Sequence, residues 1–256
     1  MADELVDVKR DYIYMLAEAG KRIDGRKFDE LRPLSITTGI IAPADGSAKV
    51  QLGDTQVIVG VKIMPGTPFP DTPEQGVLTT NAEMGQIASP DFEGGPPSPE
   101  SIELARVVDR GIRESKAIDM EKLCITKGEK CWMVFIDIHV IDFSGNLIDC
   151  AGIGALAALK TAIVPAKKYG VGEDFPLPVS HFPVPVTHVR IEKYIMADPL
   201  LDEEDASHVR LTITTDENGN IRAMQKGGTG SLTRESINRM LAEATRLGNN
   251  IRAQLL

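Results

Sequence analysis

The stretch Gly46-Ser-Ala-Lys-Val-Gln-Leu-Gly-Asp-Thr-Gln-Val-Ile-Val-Gly-Val-Lys62 constrains the fold more than any other part of the chain. Two arms of alternating apolar and polar residues flank Gly53-Asp54, a pair suited to a tight hairpin turn. The second arm becomes mostly apolar from Val57 to Ile63, the composition expected of a strand covered on both faces.

Around this hairpin the chain alternates between strand and helix patterns. Residues 3–19 read as an amphipathic helix, with Leu5, Val8, Tyr12, Met15, Leu16 and Ala19 on one face and Gly20 as its stop. Arg22-Ile-Asp-Gly-Arg26 is a turn signal, and Leu34 to Thr38 is a short strand. Residues 64–76 and 89–100 are rich in Pro and Gly and read as long loops. A helix follows from Pro99 or Glu100 to about Ala117, then a buried-type strand from Cys131 to Asp142. Cys150 to Val164 reads as a helix of small residues ended by Pro165. Strands resume over 186–192, 209–214 and 221–224, with Asn218-Gly219 turning between the last two. Thr233 caps a final helix to about Leu247, with Ile237, Met240, Leu241, Ala244 and Leu247 facing inward.

The fold class is therefore α/β (α+β): two halves, each with strands followed by a helix, plus an N-terminal helix. The expected boundaries are an N-terminal helix and turn over 1–27, a first half over 28–170, a proline-rich linker over 171–185 and a second half over 186–256. With 256 residues the chain can bury a substantial core. Its net charge of −9 argues against a surface coated in phosphate-binding groups but permits a local basic groove. There is no apolar run of membrane-spanning length and the third residue is already charged, so no membrane or secretory signal is expected and the cytoplasm is the default.

Chemistry-bearing residues are sparse. Cys124, Cys131 and Cys150 match no zinc spacing and read as small apolar residues. The four histidines are scattered and read as structural, so neither a metal site nor a cofactor is expected. No nucleophile motif is visible. Arg106, Arg110 and Arg113 stand at i, i+4 and i+7, which aligns three guanidinium groups along one helix face. Such a stripe can track phosphate oxygens, or it can be neutralised in place by Asp109 and Glu114 at four-residue spacing. Asp202-Glu-Glu-Asp205 reads as a solvated turn rather than a magnesium site. Lys226-Gly-Gly-Thr-Gly-Ser231 is a weak phosphate-loop signal, equally explained by positions with positive φ.

Several segments carry a family resemblance. Lys21-Arg-Ile-Asp-Gly-Arg26 with Leu31-Arg-Pro33, the hairpin to Val57, and Arg106-Val-Val-Asp-Arg-Gly-Ile-Arg113 resemble the RNase PH family. The segments Val140 to Cys150 and Asp198 to Ile213 resemble core motifs of its active site. Asp198-Pro-Leu-Leu-Asp-Glu-Glu204 with Arg210-Leu-Thr-Ile213 is most similar to the non-catalytic RNase PH-like subunit of the archaeal exosome. The resemblance covers nearly the whole chain, from Arg22 to about Leu247. It implies an RNase PH-like fold and phosphate-dependent 3′→5′ RNA degradation as the family activity.

Active members hold phosphate on a Gly-Gly-Thr-Arg-like turn, matched here by Gly145, Asn146, Leu147 and Ile148. Leucine and isoleucine offer phosphate no side-chain donor, and a charge-assisted bond forfeited there is worth about 1.5–3 kcal/mol. The family's catalytic aspartate is matched by Arg210, which cannot serve as acid or base. The resemblance thus implies no catalytic residue in this chain. It implies a catalytic RNase PH-like partner, three heterodimers in a hexameric ring, RNA-binding cap subunits, and single-stranded RNA held by Arg106, Arg110 and Arg113. Two rivals stand beside it. One is a self-sufficient enzyme using Asp202, Glu203 or Glu204 with magnesium and the Gly227–Gly230 loop. The other is a purely structural ring member without RNA contact.

Overall fold

The Gly53 hairpin forms as its alternation predicts and sits at the centre of a mixed sheet. The computed structural model describes the backbone of residues 2–255 and the side chains of residues 8–255. The first half comprises α1 (Ala2–Glu18), β1 (Leu34–Thr38), β2 (Gly46–Leu52), β3 (Thr55–Gly66), β4 (Val77–Met84), α2 (Pro99–Glu114), β5 (Cys124–Thr126), β6 (Lys130–Asp142) and α3 (Leu147–Lys160). The sheet order is β1-β2-β3-β6-β4, with β5 also pairing β6. All its pairs are antiparallel except β4 with β6.

Strand β3 corrects the expectation of two covered faces. Val57, Val59, Val61 and Ile63 are buried, whereas Ile58, Gly60 and Lys62 are only partly so. The outward residues lie beside Lys49, His139 and Phe135 on neighbouring strands, and Lys62 pairs with Asp45 at 2.8 Å. A half-polar outer face needs no second helical layer. Strand β4, at the sheet edge, falls between the two Pro/Gly loops, where the sequence pattern marks no strand.

Helix α3 begins at Leu147, three residues before the expected start. Gly145 and Asn146 both adopt positive φ, at 90° and 55°, and turn the chain directly into the helix. It ends at Lys160 rather than at Pro165, because Ile163–Val164 (β7) pairs with Phe175–Pro176 (β8). Its residues from Leu147 to Leu159 are all buried, since it lies between two sheets. Small residues make that position feasible. A Cβ on Gly154 would stand 2.8 Å from Val59, one on Gly152 2.5 Å from Pro185, and one on Gly46 of β2 2.5 Å from the Ala158 carbonyl.

The second half adds β9 (Val184–Ile191), β10 (Tyr194–Ala197), α4 (Leu201–Ala206), β11 (Val209–Thr215), β12 (Ile221–Gly227) and α5 (Arg234–Leu255). Its antiparallel sheet runs β10-β9-β11-β12. Helix α5 packs on β9 and β11, giving the layer order sheet, α2 with α3, sheet, α5. One apolar core runs through these layers and joins Val59, Leu156, Ile213 and Met240. Thr233 caps α5 as expected, its hydroxyl accepting from Ser236 N at 3.1 Å. The helix continues past Leu247 to Leu255 because Ile251 and Leu255 extend the buried face. No helix of the described residues is long and apolar enough to cross a membrane.

Two further expectations are corrected. The apolar face expected of α1 points outward: Val8, Tyr12 and Met15 are exposed, while Ile13 and Ala17 pack on Val189, Ile191, Met196 and Ala206. The Leu5 side chain lies outside the described residues. Asp202 to Asp205 form most of α4 rather than a solvated turn. Glu203 is buried there against Arg22, whose Nε donates to its carboxylate at 2.8 Å.

Asp198 links the halves. This fully buried carboxylate has a backbone φ of 48°. It accepts from Arg32 Nη2 at 2.7 Å, Arg32 backbone N at 2.7 Å, Arg26 Nη1 at 3.0 Å and Asn146 Nδ2 at 2.8 Å. Arg32 also donates to the carbonyls of Ser144 and Gly145. Removing one member of a buried ion cluster strands its partner charge at a cost of about 3–5 kcal/mol. Asp198→Ala is therefore expected to lower unfolding stability by about that amount in urea titrations, and a loss below about 1 kcal/mol would contradict this account.

Candidate nucleic-acid interface

Helix α2 is set by its ends and its apolar stripe. The Ser98 hydroxyl accepts from Ser101 N at 3.2 Å, and Pro99 occupies the first turn, where its missing N–H costs nothing. Leu104, Val107, Val108, Gly111 and Ile112 are buried against the core. That burial turns Arg106, Arg110 and Arg113 outward along a cleft of about 640 Å³ between α2, β4 and β12. Asn81, Glu103 and Gln225 also line it. The cleft thus brings together all three arginines selected by sequence spacing.

Their environments differ. Arg113 donates to Asp109 at 2.9 Å and to the Leu78 carbonyl at 3.0 Å, so it anchors α2 to β4. Arg106 and Arg110 have no hydrogen-bond or ion-pair partner among the described residues. Neutralisation within the helix therefore holds for Arg113 through Asp109, whereas Glu114 does not take up Arg110. Two guanidinium groups are left facing the cleft.

The loop before α3 is built differently from an anion cradle. The backbone N–H of Asn146 donates to Glu204 Oε1 at 3.2 Å. The Asn146 side chain donates to Asp149 and Asp198, each at 2.8 Å. Leu147 and Ile148 point into the core. Asp149 accepts from the backbone N and the hydroxyl of Thr187, both at 2.8 Å. Loss of hydration raises the Asp149 pKa to about 7 against these hydrogen bonds, and does the same for Glu204 against the field of Arg210. An anion arriving at this loop would meet carboxylates with their hydrogen bonds already made. Arg210 projects from β11 and donates to Glu103 of α2 at 2.8 Å.

The remaining candidates are engaged in structure. Glu203 is held by Arg22, and the Glu204 carboxylate takes the Asn146 N–H. In the glycine loop, Gly228 has a φ of 77°, and Gly230 N donates to the His208 carbonyl at 3.0 Å. Cys131 and Cys150 are buried in the interior, and Cys124 is partly buried. Sequence reasoning passes over Asp149 as a buried acid, and over Glu103 and Gln225 as cleft residues. Asp149 and Thr187 meet across 38 residues of chain, and Glu103 and Arg210 across 107.

Residues 30–165 match domain 1 of the 3′ exoribonuclease family, RNase PH, and residues 181–246 match its domain 2. The chain belongs to the RNase PH-type 3′ exoribonuclease family. It is 55% identical over 253 residues to the exosome complex component Rrp42 of Methanocella arvoryzae, covering 99% of this chain and 97% of that one. The same component of Thermococcus kodakarensis is 50% identical over 98% of this chain and 96% of its own length. Among solved structures, a chain of the Archaeoglobus fulgidus exosome with RNA bound to the active site superimposes with a TM-score of 0.96 at 48% identity, covering 98% of this chain and 99% of that one. A chain of an archaeal exosome core gives 0.92 at 46% identity, covering 99% and 98%.

The raised Asp149 pKa has a testable sign. The folded protein binds this proton more tightly than the unfolded chain, so the contribution is most favourable near pH 4 and is lost as pH rises towards about 7. Asp149→Asn removes the titration. The variant is expected to lose less stability than the parent between pH 4 and pH 8 in urea midpoints, and parallel pH profiles would refute the assignment.

Proposed function

We propose that this chain is a non-catalytic ring subunit of an archaeal-type exosome that supports 3′→5′ phosphorolysis of RNA by a catalytic RNase PH-like partner. The observation that carries the reading is the loop before α3. The Asn146 N–H faces Glu204, Leu147 and Ile148 belong to the core, and the position matching the family's acid holds Arg210. The full-length likeness to Rrp42 components supports the assembly part of the proposal.

The proposed assembly is a hexameric ring of three heterodimers with RNA-binding caps, in the cytoplasm and without membrane contact. The chain would complete the ring, help shape the partner's active site, and hold single-stranded RNA on the α2 cleft. Its organisation is an N-terminal helix and turn over 1–27, halves over 28–170 and 186–256, and a linker between them. Within the arginine stripe, Arg106 and Arg110 are the phosphate ligands, and Arg113 holds the helix in place.

Labelled single-stranded RNA, phosphate and magnesium, with and without the catalytic partner, test the enzymatic claim. Nucleoside diphosphate release is expected only with the partner, and release by the chain alone would overturn the reading. For the RNA surface, Arg106→Glu with Arg110→Glu is expected to weaken RNA binding by the assembled ring. It should also flatten the slope of log affinity against log salt by about 1.4, roughly 0.7 for each single-strand phosphate that is no longer neutralised. An unchanged slope would remove both arginines from the interface.

A further inference from the structure

Arg210 stands where the family resemblance places an acid, and its guanidinium donates to helix α2. In the pairing of β11 with β12 it is registered against Gly227. A Cβ on Gly227 would lie 3.3 Å from both Nε and Nη2 of Arg210, so the guanidinium passes across a residue with no side chain. It then reaches Glu103 of α2 at 2.8 Å. Gln225 of β12 donates to the same Glu103 oxygen at 3.2 Å. Glu103 is thereby held from two strands of the second sheet.

On α2, Glu103 lies three residues before Arg106, at a spacing where helical side chains meet and opposite charges pair. Both line the same cleft. Without a competing cation, Glu103 would be free to pair with Arg106 at that spacing. With Arg210 present, that carboxylate is occupied. At the other end of the stripe Asp109 is engaged by Arg113 and also accepts from the Thr80 hydroxyl at 3.3 Å. Of the carboxylates of α2 on the cleft side, Glu103 and Asp109 are thus engaged by other groups, while Glu114, four residues after Arg110, makes no ion pair with it.

We infer that Arg210, through Glu103, is a positioning residue that keeps Arg106 unpaired and available to RNA phosphate. The inference rests on the proposed RNA role of the cleft. It gives the exchange of acid for base at position 210 a second consequence: an aspartate there would face Glu103 as a like charge and leave it free to capture Arg106.

The test is RNA affinity and KM of the assembled ring at low salt, for variants of this chain. Arg210→Met is expected to weaken RNA binding about two- to fivefold, the scale of one exposed ion pair that must be broken first. Glu204, the other carboxylate in the field of Arg210, is untouched by the second substitution. Adding Glu103→Gln should therefore restore affinity only if Glu103 is the competitor. In an Arg106→Ala background, Arg210→Met should have no further effect. Gly227→Ala, which crowds the guanidinium while keeping its charge, should act in the same direction as Arg210→Met. A loss that Glu103→Gln does not rescue, or one that persists without Arg106, overturns the inference. An Arg106→Ala ring with unchanged affinity defeats the RNA reading of the cleft itself, which separates the two failures.

Discussion

The structure depends on one buried carboxylate. Asp198 sits at the end of β10 in a left-handed conformation, and the charges that hold it come from the other half of the chain. Arg32 reaches it from the segment before β1, Asn146 from the turn into α3, and Arg26 from the turn after α1. A buried ion cluster adds little net stability when complete, because desolvation offsets attraction, but each member is costly to leave alone. Its main effect here is positional. It fixes the start of α3 relative to β10, and through Arg22 and Glu203 the same region locks α4 beneath the N-terminal turn.

The loop before α3 is therefore held by hydrogen bonds within the chain. The donors of Asn146 are directed inward at Asp149, Asp198 and Glu204. The backbone at this turn acts as a structural joint between α3, β10 and α4. The cationic groups lie one helix away, on α2, where Arg106 and Arg110 face a cleft and not a pocket closed by the loop.

Much of this was legible in local pattern. The hairpin, the capped start of α5 and the arginine face of α2 rest on short-range periodicity, and each is present at the expected residues. The family resemblance read from the motifs is matched along both halves of the chain. What escaped rests on long-range packing. The exposed stripe of α1 is as apolar as its buried one, so periodicity could not choose between Val8, Tyr12 and Met15 on one side and Ile13 and Ala17 on the other. The run Asp202 to Asp205 looked solvated because its partner, Arg22, is 181 residues from Glu203. Helix α3 looked later than it is because Leu147 and Ile148 read as part of the Gly145-Asn146 turn, whereas its two positive-φ residues lead straight into the helix.

Helix α3 also bears on how such a chain matures. With its glycines against β3 on one side and Pro185 on the other, it has no face designed to meet water. A nascent chain released only as far as residue 170 would present that helix with one side bare. Completion of the first sheet's core therefore waits on translation of β9. The two sequence halves, separable on paper, would thus depend on each other during synthesis, and a stalled or truncated product would carry a sticky apolar surface.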